Sequence, residues 1–427
     1  MDNNLVNKNT RRFDIDHLRV FAFGLLIFYH TGMLYTANWG YHIKSSYLSE
    51  TLESVMLLVS PWRMPLLWIV SGIASYFLLK KLPLMTFLTS RTIRLLLPLL
   101  FGILFIVPFQ LYFEMKSHGD MDLSLWQFWQ VFFDLDNPIF DKYQPGILPH
   151  IDVNHLWYLR ALWPFTLILA VIHPLLNSTL VTKSISKCGH LLGRYTILLL
   201  PILLLFVLDQ SIFEQLEGDR KRQAIGFTFF IIGYLLASQD TLWQSMKTIR
   251  RLTLALSIVS YITLIYGYQT YYVSDPSAIT NNIKLLFSLI YSANQWLWLV
   301  TLFGYAYTYL NRENKVISYL NPAVYPFYIL HQTVIISLGY PLIQLKLGAI
   351  VEPTLILLAT IITCAACYEI ICRISVLRPF FGINITPSNM PYLSRLFFKP
   401  VVYRTAGTLM VIPIATPIFL WFFGFYS

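Results

Sequence analysis

The stretch from Asp16 to His30 reads DHLRVFAFGLLIFYH. It opens on an acid and a base, runs through apolar residues and closes on an imidazole. The run is too long for the apolar region of a cleaved leader, and it ends without a small-residue cleavage site, so it stays in the chain as a first span. A helix of roughly 20 apolar residues crosses a ~30 Å hydrocarbon core. Working outward from this stretch, eleven such spans are expected, near 17–37, 55–79, 92–113, 155–177, 192–209, 223–239, 252–272, 283–309, 322–345, 350–372 and 405–426. The last of these carries Pro413 and Pro417.

Composition agrees. Of 427 residues, 56% are hydrophobic and 12% charged, against about 25% charged in an average soluble chain. So few charges cannot dress the surface of a soluble domain, and disorder, collagen and disulfide scaffolds are excluded as well. The fold class expected is all-α, a polytopic transmembrane bundle of about 10–11 spans with a cytoplasmic N-terminus. Residues 1–12 form a tail, 13–380 the membrane domain, and 381–427 a basic loop with a probable extra span. The net charge of +10 reads as topology, with the bilayer and not nucleic acid as partner. With the N-terminus inside, 21 of the 31 Lys and Arg residues fall on the cytoplasmic side and every inner loop is basic, as the positive-inside rule requires. The CxxC of Cys364 and Cys367 lies in an apolar run and reads as packing. His150, Asp152 and His155 have loose metal-like spacing without an evident further ligand, so no metal site is expected.

An ionisable group within a span is costly, by about 2.5–3.5 kcal/mol on insertion scales, and marks function by default. Arg19 and His30 are eleven residues apart, which on a helix is ~16 Å and about three turns. They share a face, with a cation at the inner mouth and an imidazole at depth. The second span holds Pro61, Arg63 and Pro65, then Ser71-Gly72 in its middle, the pattern of a broken helix lining a cavity. Arg91 and Arg94, at i and i+3, share one face of the third span, with Lys80 and Lys81 near them. Two guanidiniums so placed suit phosphate; taken alone, they are better explained by ordinary positive-inside charge. His155 and Arg160 open the fourth span from outside, where they line a vestibule. His331 is a second imidazole at mid-depth, after Tyr328. Glu369 and Arg373 are i, i+4 ion-pair partners. In the acidic outer loop 114–154, Leu125, Trp126, Trp129, Phe132 and Phe133 recur at helical spacing, giving either an interfacial amphipathic helix or an aromatic platform for a sugar.

This ordered set resembles the membrane-bound acyltransferase-3 family. Asp16, Arg19 and His30 fit its opening pattern, Ser71-Gly72 its second-helix motif, Arg91-x-x-Arg94 its third, and Tyr328-x-x-His331 its late one. Arg63-Met64, His155-Leu156-Trp157-Tyr158-Leu159 and Tyr368-Glu369-x-x-x-Arg373 look most like its periplasmic-glucan branch, whose known member adds succinyl groups. The chain departs from the O-acetyltransferase branch in lacking an acid shortly after Trp157-Tyr158-Leu159. The resemblance implies transfer of an acyl group, acetyl or succinyl, from cytoplasmic acyl-CoA to a hydroxyl of an extracytoplasmic glycan or glycolipid, across a cytoplasmic (inner) membrane. It implies no resident cofactor, with acyl-CoA as donor substrate. His30, His331 and Ser71 would be catalytic and Arg19, Arg91 and Arg94 would hold the CoA phosphates. Asp16, Gly72 and Glu369 would support them. In this scheme His331 either orients His30 or donates to the oxyanion. The alternative function is a secondary transporter or glycolipid flippase.

Overall fold

A computed structural model describes residues 11–191, 195–274 and 279–383. Among them the chain is helical, with no strand beyond the isolated bridges Thr36–Ser49 and Leu148–Ile151. The helices are α1 (Phe13–Met33), α2 (Glu50–Leu57), α3 (Ser60–Lys81), α4 (Leu84–Phe101), α5 (Pro108–His118), α6 (Leu125–Phe132), α7 (Trp157–Leu176), α8 (Thr179–Leu191), α9 (Thr196–Ser211), α10 (Gly218–Leu236), α11 (Asp240–Gly267), α12 (Asn281–Tyr309), α13 (Lys315–Gln344) and α14 (Val351–Arg373).

Eight stretches are long and apolar enough to cross a membrane, counting α2–α3 and α4–α5 as one each. Helices α1 and α10 are the other long ones. Their early turns carry Asp14, Asp16 and Arg19, and Asp219 to Arg222. Ten of the eleven expected spans thus coincide with long helices. The eleventh, 405–426, lies outside the described residues. Two short helices, α2 and α8, were not legible as spans and are additions to the expected order. The loop helix α6 has a Ser124–Gln127 capping box. Its inward aromatics pack on α5, with Phe128 5.3 Å from Tyr112 between ring centroids, while Trp126 and Phe133 stay exposed.

Two local devices hold the bundle together. The first is small residues where backbones meet. A Cβ on Gly72 would strike the Phe230 carbonyl, one on Gly233 the backbone of Ile69, and one on Gly226 the Trp68 ring. Helices α3 and α10 therefore approach as closely as glycine allows, the usual means of helix association in a bilayer. The second concerns proline. A proline inside a helix leaves the carbonyl four residues earlier without its donor, and in lipid no water replaces it. At three of these prolines a facing helix supplies one. Gln295 Nε2 donates to Pro61 O (3.0 Å) below Pro65, Tyr325 Oη to Arg94 O (2.7 Å) below Pro98, and Trp296 Nε1 to Ile197 O (2.5 Å) below Pro201. Between α4 and α5 the chain widens into a π-helical turn, Gly102–Ile106. The Thr333 hydroxyl donates to Ile106 O there, at 3.1 Å.

Candidate active site

Helices α1 and α13 lie side by side and bring two imidazoles together. His30 Nδ1 is 2.8 Å from His331 Nε2, with the rings 5.0 Å apart and 17° from parallel. The proton positions follow from the remaining contacts. His331 Nδ1 faces the carbonyls of Phe327 (3.0 Å) and Tyr328 (2.8 Å). A carbonyl only accepts, so Nδ1 carries the hydrogen and the neutral ring keeps a bare Nε2. His30 Nδ1–H must then be the donor to His331, which leaves His30 Nε2 as an unprotonated nitrogen. His331 is 1% exposed, so this tautomer is fixed by a dry backbone contact. With both ring nitrogens engaged, His331 orients His30 and has no hydrogen left for an oxyanion.

His30 lines a cavity of about 320 Å³ shared with Tyr41, His42, His155, Arg160 and Gln332. This is the vestibule anticipated from His155 and Arg160. The Tyr41 ring stacks 6.4 Å from His30 at 18°, and its buried hydroxyl has no partner. Burial, and after it the charge of Glu114, pushes that hydroxyl up from its ordinary acidity, so it remains a donor. Arg160 pairs with Asp219, which also pairs with Arg222. Opposite charges thus meet on the cavity wall. Deeper in, an amide network ties the elements together. Gln110 Nε2 donates to His155 Nδ1 (3.0 Å) and to the Thr333 hydroxyl (2.7 Å), and His155 Nε2 donates to Ile329 O (3.0 Å). Gln332 Nε2 donates to Gln110 Oε1 (3.2 Å) and lies 3.1 Å from His42 Nε2. His42 Nδ1 is paired with the Glu114 carboxylate.

At the N-terminal end of α1, Arg19, Arg91 and Arg94 lie within electrostatic reach of one another and of Tyr158 and Tyr325. Two nitrogens of Arg91, Nε and Nη2, are buried without a hydrogen-bond partner, while Arg94 Nη2 donates to Gly382 O at 3.2 Å. A gathering of cations around phenols, with donors to spare and Asp16, itself paired with Arg11, as the carboxylate near Arg19, suits an anion. The two centres are joined by one helix face, since Arg19 and His30 are ~16 Å apart along α1.

A family profile described as an acyltransferase domain matches residues 12–372. The chain belongs to the acyltransferase-3 family. No curated protein and no solved structure matches it. The match covers both centres and the helices that carry them, so the protein is a multi-pass membrane acyltransferase.

The other residues singled out in this acyltransferase fall as follows. Ser71 is not beside the imidazoles. Its hydroxyl is 2.5 Å from Tyr158 Oη, which in turn donates to Leu67 O (3.2 Å), and Tyr158 belongs to the guanidinium cluster. Gly72 serves the α3–α10 contact. Asp16 holds Arg11 at 2.8 Å and accepts from Asn321 Nδ2 at 2.8 Å. Glu369 stands 3.8 Å from Arg373 and accepts from the Tyr319 hydroxyl. The loose trio of the outer loop has separate duties: His150 donates to Phe132 O (2.7 Å) and stacks on Phe140, Asp152 accepts from the Asn154 backbone (3.2 Å), and His155 is in the amide network. Sequence reading missed Tyr41, His42, Gln110, Glu114 and Gln332 as members of one site. Gln110 and Gln332 are polar residues within apolar spans, and that signal was available. His42 and Glu114 sit at helix ends and in a loop, where polar residues are ordinary.

Proposed function

We propose that this acyltransferase moves an acyl group, acetyl or succinyl, from cytoplasmic acyl-CoA to a hydroxyl of an extracytoplasmic glycan or glycolipid, in the cytoplasmic membrane of a bacterium. The observation that supports it best is the fixed tautomer of His30. An imidazole with a bare Nε2 on a cavity wall is a general base, and it shares a helix face with Arg19 of the guanidinium cluster. In this reading the phosphates of CoA sit among Arg19, Arg91 and Arg94, and the pantetheine arm runs along α1 toward His30. An alcohol is far too weak an acid to attack a thioester at neutral pH. Proton removal by a positioned base contributes about 10²–10⁴-fold. His331 acts through His30 as a positioning residue. Asp16 and Glu369 keep α1 and α14 tied to α13, and Ser71 with Tyr158 borders the donor channel.

The test is binding of acetyl-CoA and succinyl-CoA to the detergent-purified protein, beside ester formation on a membrane-derived oligosaccharide mixture. Arg91→Ala/Arg94→Ala should weaken thioester binding about tenfold or more. His30→Ala should abolish transfer and leave thioester binding in place. Folded protein that binds no acyl-CoA would move the assignment to a transporter or flippase.

A further inference from the structure

Acyl transfer places a negative charge on the carbonyl oxygen as the tetrahedral centre forms, and that charge needs donors held ready for it. The groups first suggested for this duty do not supply them. Both nitrogens of His331 are engaged. Ser71 is committed to Tyr158 and stands roughly 12 Å along α3 from the level of Arg63.

Arg63 is different. It is 9% exposed, lies within a span, and forms no ion pair among the described residues. Its guanidinium carbon lies 3.3 Å from the centre of the Tyr29 ring, and Tyr29 precedes His30 in the chain. Among the described residues, Nε and Nη1 are both buried without an acceptor. A buried cation with two idle N–H groups is costly; its neighbours Tyr29 and Tyr291 favour the cation, Tyr29 also through a side-chain hydrogen bond, but neither is a carboxylate. Arg63 also acts electrostatically on both His30 and His331. Two other hydroxyls near His30 are idle among the described residues: Thr31, the next residue in the chain, which is uncharged, and Tyr41. Tyr41 belongs to the cavity wall, which the reading above gives to the acceptor, and it is neutral.

We propose that Arg63 is a catalytic residue whose Nε–H and Nη1–H receive the oxyanion of the tetrahedral intermediate. This rests on the acyl-CoA reading above. The acceptor oxygen forms its bond to the carbonyl carbon as His30 Nε2 takes its proton. The carbonyl π pair moves onto oxygen beside Arg63. When that pair returns, the C–S bond breaks, and the thiolate leaves with the proton from His30. Ester and CoA thiol are the products, and no further reactant is needed. A cation suits this task because a full charge develops in a low-dielectric site, where a fixed guanidinium counts for most.

The test compares two probes, acetyl-CoA and its trifluoroacetonyl-CoA analogue, whose ketone adds water or alcohol to give a tetrahedral centre. Binding to detergent-purified wild type, Arg63→Met and Arg63→Lys is measured by calorimetry, with thermal unfolding recorded for each. The wild type should bind the ketone about 10²-fold more tightly than acetyl-CoA, as transition-state mimics do. Arg63→Met should lose most of that excess with acetyl-CoA binding unchanged, and Arg63→Lys should keep part of it. An excess that survives in Arg63→Met overturns the proposal and leaves acyl-CoA binding standing. If Arg63→Met does not fold, Arg63→Lys decides, and an undiminished excess there overturns it. Wild type that binds neither probe defeats the donor reading itself, and the role of Arg63 falls with it.

Discussion

At the scale of single residues, the reactivity of this acyltransferase turns on which nitrogen of each imidazole carries hydrogen. Backbone carbonyls of Phe327 and Tyr328 fix His331, and His331 fixes His30. In the reading proposed above, a histidine, not a carboxylate, therefore orients the base. The acid missing after Trp157-Tyr158-Leu159 is not replaced at His30; Glu114 is spent on His42 instead. His331→Ala should lower kcat by about 10²-fold, the lower range for a general base, with KM for acyl-CoA little changed. His331→Asn keeps an oxygen that accepts from His30 Nδ1–H, so it should recover part of the loss. Equal rates in the two variants would show that the acceptor at this position is immaterial. Steady-state kinetics on protein of matched thermal stability decides.

At the scale of elements, helices that sequence patterns mark as broken are repaired from outside. The freed carbonyls of Pro61, Arg94 and Ile197 each find a donor on a neighbouring helix. Proline thus converts an intrahelical bond into an interhelical one, and two of these bonds sit beside functional residues, at Arg63 and Arg94. Glycine shows the opposite economy. Gly72 meets the backbone of α10, whereas Gly24 faces open space on α1. Gly72→Ala should destabilise the protein, because the obstacle is backbone that cannot turn aside. Gly24→Ala should be neutral or stabilising by up to about 1 kcal/mol, the helix-propensity gain. Thermal unfolding in detergent separates them, and a larger loss at Gly24 would contradict the packing described.

At the scale of the whole molecule, the two centres lie at different depths of one bundle, and the direction of transfer depends on which end faces the cytoplasm. The Lys and Arg distribution predicts that the Arg19 end faces inside. In a background without Cys188, Cys364, Cys367 and Cys372, a cysteine placed at Lys346 should react with a membrane-impermeant maleimide on intact cells. One placed at Lys81 should react only after the membrane is opened. The reverse pattern would exchange the donor and acceptor sides.

Much of this architecture was determined by sequence alone, because what it needs is local. Apolar length fixes a span, loop charge predicts orientation, and the 3.6-residue repeat put Arg19 and His30 on one face before any fold was known. The same locality singled out His331 as a polar group in an expensive place and put Arg91 and Arg94 on one helix face. Partnership is another matter. His30 and His331 are separated by 301 positions, His42 and Glu114 by 72. No periodicity within a helix encodes which residue of a distant helix will face it. Ser71 and Arg63 make the point most directly. Both lie in one helix, and sequence favoured the serine because Ser71-Gly72 resembles the family's second-helix motif. Packing gave that hydroxyl a partner in Tyr158 and left two nitrogens of Arg63 with none. Only the tertiary structure decided this, because a buried donor's idleness is a property of everything around it and not of its own segment.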